Sequence, residues 1–336
     1  MLFDFEMKKV RFATIGTSFI TEWFLAGASH DNRFVYEAVY SRDEEKGREF
    51  ASRYGVEKVY TSLDELLSDD NIDAVYVASP NALHYEHTMA SLMAGKHVLC
   101  EKAFASNVRQ AEEMCSLALE KGLSLMEAMK TTHSGTFKSV MEALPRIGTI
   151  RRYFACYCQY SSRYDRFKQG IILNAFRPEL SNGSLMDIGV YGVYPMVTLF
   201  GVPHMVEASC HKLHTGVDGQ GTVRCGYDGF DAVILHSKIA DGSLPSEIQG
   251  EKGRIIIDRI NTIDTARIVW RDGSVEDISV PHPADDMCSE LTAFIDMIEK
   301  GDVEHSINTH SRTIEVMRIM DIAREQCGVC YPSDVK

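Results

Sequence analysis

Val75–Lys102 reads VYVASPNALHYEHTMASLMAGKHVLCEK. An apolar run ends at Ala78, a polar turn Ser79-Pro80-Asn81 follows, Leu83–Ala94 has helical spacing, and a second apolar run, His97–Cys100, ends on Glu101-Lys102. Strands without polar alternation are those covered by helices on both faces. Two such strands joined through a helix run parallel, so both deliver polar groups at their carboxyl ends to one crevice, where open α/β sheets bind ligands.

The same rhythm extends on either side. Apolar runs at Val10–Ile15, Phe34–Tyr40, Ala74–Ala78 and Leu123–Met126 alternate with helical stretches at Asp43–Tyr54, Ser62–Leu67 and Val108–Glu120. This predicts a doubly wound parallel sheet from Lys8 to about Met129. Beyond Lys130 a helix around Ser134–Leu144 precedes longer β-like segments at Ile150–Tyr160, Met205–Leu213, Gly221–Tyr227, Ala232–Ile239, Ser246–Gln249, Arg254–Ile257, Ala266–Trp270 and Ser274–Val280. Asp-Gly turns at 228–229, 241–242 and 272–273 separate some of them, which predicts a mostly antiparallel sheet. Helices near Ala284–Lys300 and Ser311–Glu325 follow. A chain of 336 residues fits two domains, placed at 7–128 and 129–336.

The net charge of −13 argues against nucleic-acid or anionic-membrane binding, since both need local positive charge. The N-terminal MLFDFEMKKV lacks the apolar run of a secretory signal, and no run is apolar and long enough for a membrane span. The nine cysteines read as reduced thiols, and CGVC at Cys327–Cys330 lacks a second ligand pair. The expected location is the cytoplasm. His84 and His87 can share a helix face, but no third ligand is evident, so no metal is expected.

The turn after the first strand, Gly16-Thr17-Ser18-Phe19-Ile20-Thr21, stands where a dinucleotide fold places backbone N–H groups against a pyrophosphate. Of the G-x-G-x-x-G/A fingerprint only Gly16 is present. The second strand ends in Ser41-Arg42-Asp43. A hydroxyl and a planar cation there suit a ribose 2′-phosphate, whereas an acid would suit a free 2′-OH. NADP(H) is therefore the preferred cofactor, with NAD(H) possible; the structural alternative is a helix N-cap at Ser41 followed by a solvated arginine. Lys102 can polarise a substrate oxygen or lower a neighbouring phenol's pKa, unless Glu101 and Lys102 form a surface ion pair. Asp187 and Tyr191 are four apart, sharing a helical face as a proton-transfer pair or as part of a packed helix. Gly189 between them allows close approach of backbone to a ligand. Arg163, Tyr164, Arg166, Asn174 and Arg177 precede this helix and can reach substrate or lie on a surface loop.

Together these residues carry a resemblance. GTSFI, YSRD, ASPNALHYEH, GKHVLCEKAFA, LMEAM, GSLMDIGVYGVYP and IQGEKGRIIID, in this order, resemble the glucose-fructose oxidoreductase / inositol 2-dehydrogenase (Gfo/Idh/MocA) family over nearly the whole chain. The family's EKP appears as Glu101-Lys102-Ala103 and its D-x-G-x-H as Asp187-Ile188-Gly189-Val190-Tyr191. A tyrosine at the last position looks like the dimeric dihydrodiol dehydrogenase branch. The resemblance implies an N-terminal Rossmann domain followed by an α/β domain with an open, mostly antiparallel sheet whose outer face often forms a dimer interface. It implies hydride transfer between nicotinamide and a small sugar, polyol, diol or carbonyl compound, with Tyr191 as acid/base, Lys102 as its electrostatic partner and Asp187 orienting or relaying. The cofactor would rest on Gly16, Thr17, Ser18, Phe19, Ile20, Ser41, Arg42, Ser79, Pro80, Asn81, His84, Glu101 and Lys102. The same fold also serves a non-catalytic dinucleotide-binding regulator and NAD-dependent glycoside hydrolases.

Overall fold

The computed structural model describes residues 9–281 and 287–335. The first sheet has six parallel strands: β1 (Val10–Ile15), β2 (Phe34–Tyr40), β3 (Lys58–Tyr60), β4 (Ala74–Val77), β5 (His97–Glu101) and β6 (Leu125–Ala128), in the order β3-β2-β1-β4-β5-β6. Between them run α1 (Phe19–Ala28), α2 (Glu44–Arg53), α3 (Leu63–Leu67), α4 (His84–Met93) and α5 (Val108–Lys121). Strand order reverses between β1 and β4, which opens a crevice at their carboxyl ends. β4 is buried at all four positions, as its apolar sequence requires. The three-residue β3 was not expected; KVY is too short to show a period.

Asp43, Ser62 and Asn107 cap α2, α3 and α5, each side chain accepting a backbone N–H three residues on. The Ser18 side chain makes no such bond to α1. Asp43, not Ser41, is therefore the cap of α2; Ser41 Oγ instead donates to the Asp43 carbonyl at 2.8 Å.

The second sheet is mixed. Its eight strands are β7 (Ile150–Cys158), β8 (Met205–Lys212), β9 (Asp218–Tyr227), β10 (Phe230–Ser237), β11 (Ser246–Gly250), β12 (Gly253–Ile257), β13 (Ala266–Trp270) and β14 (Val275–Asp277), in the order β14-β13-β12-β11-β7-β10-β9-β8. All pairs are antiparallel except β7 with β10. Two helical connections and a hairpin separate those two strands in sequence, returning the chain beside β7 in the same direction. Asp228-Gly229 and Asp272-Gly273 turn β9 into β10 and β13 into β14, while Asp241-Gly242 lies in a longer connection. Helices α6 (Gly135–Ala143), α7 (Tyr164–Lys168), α8 (Val190–Phe200), α9 (Cys288–Lys300) and α10 (His310–Cys327) complete the structure; a π-helical turn, Leu185–Gly189, runs straight into α8. The expected start of α9 at Ala284 lies outside the described residues, as does the domain start at residue 7.

α9 crosses back to the first sheet. Leu291, Phe294 and Ile295 join one buried cluster with Phe12 and Phe24, and the Phe12 and Phe294 rings meet edge-on at 6.1 Å. Arg33 on the first sheet's side bridges Asp296 and Glu299 at 2.8 and 2.7 Å.

Candidate active site

A cleft of about 1140 Å³ runs along the carboxyl ends of β1, β2, β4 and β5 and continues to the second sheet. Its first end is mostly backbone. Gly16 sits at φ +118°, and a Cβ there would lie 2.6 Å from the Ala78 carbonyl oxygen, so only glycine lets the β1 turn pass the end of β4. Thr21, where the fingerprint would have a small residue, donates its hydroxyl to the Gly16 carbonyl at 3.2 Å. Thr17, Ser18, Phe19 and Ile20 line the cleft beside the α1 N-terminus; Phe19 is half exposed, with Trp23 edge-on at 5.2 Å. Ser41 and the exposed Arg42 line the next part, together with Lys46 and the buried-side ring of His87. Burial and the Arg42 charge push the His87 imidazole down to about 4.

Ser79, Pro80 and Asn81 lie beyond. Asn81 reaches across to donate to the Ser181 carbonyl at 3.0 Å. His84 is buried, with one ring nitrogen 2.8 Å from the Ser79 carbonyl and the other 2.9 Å from that of Ala103. Burial pushes it down to about 4, so the neutral ring donates to one carbonyl at a time. It braces the two strand ends against each other. Glu101 is buried as well: one carboxylate oxygen accepts from the Tyr76 hydroxyl at 2.5 Å and the other from the Lys102 backbone N–H at 3.2 Å. The expected alternative of a surface ion pair is excluded by this placement, because the Lys102 ammonium points elsewhere.

The second end is built from side chains. Lys102 Nζ donates to the Asp187 main-chain carbonyl at 2.7 Å and to Asp187 Oδ1 at 3.2 Å, and lies 5.1 Å from the centre of the Tyr191 ring. Lys238, directly after β10, donates to the other carboxylate oxygen, Oδ2. Tyr157 on β7 meets the Tyr191 ring edge-on at 5.8 Å. Burial pushes the Lys102 ammonium down, opposed by Glu101 nearby. Burial and the charges of Lys102 and Arg163 push the Lys238 ammonium down to about 7. Asp187 sits in the π-helical turn and Tyr191 in the first turn of α8, and both line the cleft. Single π turns inside helices recur at functional sites.

The oxidoreductase profile described as "Oxidoreductase family, NAD-binding Rossmann fold" matches residues 10–129, and the GFO/IDH/MocA C-terminal domain profile matches residues 145–256. The NADP(+) scyllo-inositol 2-dehydrogenase of Bacillus subtilis is 50% identical over 325 residues, covering 97% of this chain and 99% of that protein. The chain belongs to the GFO/IDH/MocA oxidoreductase family. As a member of it, the protein is an NAD(P)-dependent oxidoreductase, as the sequence motifs implied. The trans-1,2-dihydrobenzene-1,2-diol dehydrogenase of Xenopus laevis is 31% identical over 311 residues, covering 88% of this chain and 90% of that one, in keeping with the expected branch. The structure of a 3-ketoreductase from Actinomadura kijaniata in complex with NADP and TDP-benzene superposes with a TM-score of 0.84 at 25% identity, over 96% of this chain and 99% of that one.

Within this family member, Gly16 to Ile20, Ser41, Arg42, Ser79, Pro80, Asn81, His84, Glu101, Lys102, Asp187 and Tyr191 line one cleft, and two expectations change. Gly189 packs against protein, not ligand: a Cβ there would meet Leu185 Cδ1 at 2.9 Å and the His236 ring at 3.2 Å. Arg163 and Asn174 line the cleft, whereas Tyr164, Arg166 and Arg177 do not. Tyr164 is packed on Phe167 and Phe176 instead. Lys238, Lys46, Tyr157 and Gln159 line the cleft and were not singled out from sequence. Lys238 follows an apolar strand as any surface lysine would, and only the fold brings it to Asp187. Among the described residues no group of three His, Cys, Asp or Glu side chains is arranged to hold a metal, and no helix is long and apolar enough to cross a membrane.

Proposed function

We propose that the protein catalyses reversible oxidation of a secondary alcohol on a small polyol, sugar or diol, with NADP(H) preferred over NAD(H). The observation that carries this is the Lys102 ammonium, held by Asp187 over the Tyr191 ring at one end of a cleft whose other end offers an uncapped helix N-terminus and Arg42. The fit to a dinucleotide rests on the Gly16 turn, which any Cβ would block, and on α1, whose N-terminus lacks the side-chain cap that α2, α3 and α5 carry. Gly16 to Ile20 would hold the pyrophosphate, and Ser41 and Arg42, joined by Lys46, the 2′-phosphate. Ser79, Pro80 and Asn81 would line the ribose and nicotinamide end, with His84 and Glu101 fixing that wall from behind. When bound, the nicotinamide accepts or returns the hydride.

Tyr191 takes the hydroxyl proton in oxidation and returns it in reduction. Lys102 stabilises negative charge on the substrate oxygen and on the phenol oxygen as it forms. Asp187 accepts from a lysine on each carboxylate oxygen, which suits it to orienting Lys102 rather than to carrying the proton. The NADP(+) specificity and polyol substrate of the B. subtilis relative, and the diol of the X. laevis one, support the same substrate class.

In sequence the division we propose is 7–128 and 129–336, with α9 as the part of the second that packs on the first. The assembly we propose is a cytoplasmic homodimer or higher homo-oligomer through the outer face of the second sheet, where β8 exposes Glu207, Ser209 and His211; light scattering tests the oligomer. The test of function is a calorimetric titration with NADPH and with NADH, paired with turnover of scyllo-inositol. Tighter binding of NADPH and reduction of NADP(+) by scyllo-inositol or a vicinal diol support the reading. Tight binding with no turnover of any polyol favours a non-catalytic regulator, and no binding of either nucleotide refutes it.

A further inference from the structure

One carboxylate holds two ammonium groups here, one per oxygen, from two different sheets. Lys102 at the end of β5 takes Asp187 Oδ1 and the main-chain carbonyl, and Lys238 at the end of β10 takes Oδ2. Orienting Lys102 needs only the first. The second places a further lysine, only 5% exposed, in a buried setting beside the charges of Lys102 and Arg163. Burying an amine beside other cations is costly, and such sites are disproportionately functional. Lys238 is also firmly placed: its backbone N–H donates to Gly219 at 2.8 Å, and its carbonyl accepts from Ser161 at 2.9 Å. Asp187 takes one of the three N–H donors of its ammonium, and the side chain lines the cleft. The two oxygens of a carboxylate diverge, so the ammonium groups flank Asp187 on its two sides. Lys238 thus faces the same cleft as Lys102 and Tyr191, from the other side of Asp187.

Resting on the function proposed above, we propose that Lys238 is the specificity-determining residue that recognises the hydroxyl on the carbon next to the reacting one. The site selects substrates with two adjacent oxygens: vicinal diols in oxidation, α-hydroxy ketones in reduction. A hydrogen bond from a charged donor that only the adjacent hydroxyl can accept discriminates about tenfold or more.

The test uses two isomers that differ only in the spacing of their oxygens, cyclohexane-1,2-diol and cyclohexane-1,4-diol, with the purified full-length protein and NADP(+). The wild-type enzyme is expected to prefer the 1,2-isomer about tenfold or more in kcat/KM. Lys238→Met removes that preference while NADPH affinity stays as it was, and Lys238→Arg, which keeps the charge, retains part of it. Retention by Arg distinguishes recognition from misfolding of the Met variant. Equal loss on both isomers in both variants assigns Lys238 to holding Asp187 and overturns the inference, as does a wild-type enzyme with no preference or one that oxidises scyllo-inositol but neither diol. Failure on all three polyols with NADPH bound refutes the underlying function instead.

Discussion

The two ends of the cleft are made differently. The end proposed to hold the nucleotide is formed by residues near one another in sequence: the Gly16 turn, the α1 N-terminus, Ser41 and Arg42. The other end consists of buried and half-buried side chains from distant elements, Lys102, Asp187, Tyr191 and Lys238, that meet only when both sheets are in place. An end that must bind the same anionic groups in every turnover can be built from peptide dipoles, which do not titrate. An end that moves a proton needs ionisable groups in a setting that controls their charge. Binding and chemistry are therefore expected to separate cleanly on mutation.

Tyr191→Phe is the sharpest way to break that separation. It should lower kcat by about 10²- to 10⁴-fold with NADPH affinity unchanged by calorimetry; a fall in affinity of similar size would show that the two ends are not independent. Lys102→Met should cost about 10²- to 10³-fold in kcat, as loss of an oxyanion-stabilising donor does, and again leave NADPH binding in place. Gly16→Ala does the reverse. With φ at +118° and the Ala78 oxygen 2.6 Å from the new Cβ, it should cost about 1–3 kcal/mol, read as a lower melting temperature and weaker binding of NADPH and NADH alike. Arg42→Ala sharpens the nucleotide end further: NADPH should weaken about tenfold, or 1.4 kcal/mol, with NADH and kcat unaffected, and equal weakening of both would remove Arg42 from the 2′-phosphate.

An effect on stability alone, with no change in turnover or nucleotide binding, belongs to Glu127, on β6 behind the reacting end. Burial pushes its carboxyl from 4.5 up to about 8. Between those values the unfolded chain has released a proton that the folded one keeps, so this group's contribution to stability falls as pH rises from about 4.5 to about 8. Glu127→Gln should flatten that part of the decline. Melting curves across this pH range check it, and a variant with the wild-type slope shows that the carboxyl titrates normally.

The same contrast decides what was legible beforehand. Strand β1 could be read to the residue because a parallel strand covered on both faces is written as an apolar run, and β2 likewise because its β-branched and aromatic residues mark it although much of it is only half-buried. The residues proposed for the nucleotide could be grouped from sequence because they follow those runs directly, and they line one cleft. Lys102, Asp187 and Tyr191 were found as two local motifs, but that the ammonium contacts the aspartate across 85 residues was not. Lys238 carried no local signal at all, since a lysine after a strand is ordinary until its neighbour is known. The parallel β7–β10 pair escaped for the same reason: periodicity reports which faces are buried, not which way a neighbour runs.

The return of α9 to the first sheet has a consequence for how this protein could have been assembled or can be taken apart. The dinucleotide-binding half looks like a portable cassette, yet part of its hydrophobic wall is encoded more than 150 residues after its last strand ends at Ala128. Cut at the apparent boundary, it would show Phe12 and Phe24 to water where Leu291, Phe294 and Ile295 now cover them. Gene fusion, splitting or domain grafting must therefore carry the far segment along, and the chain is better regarded as one interlaced unit than as two beads on a string.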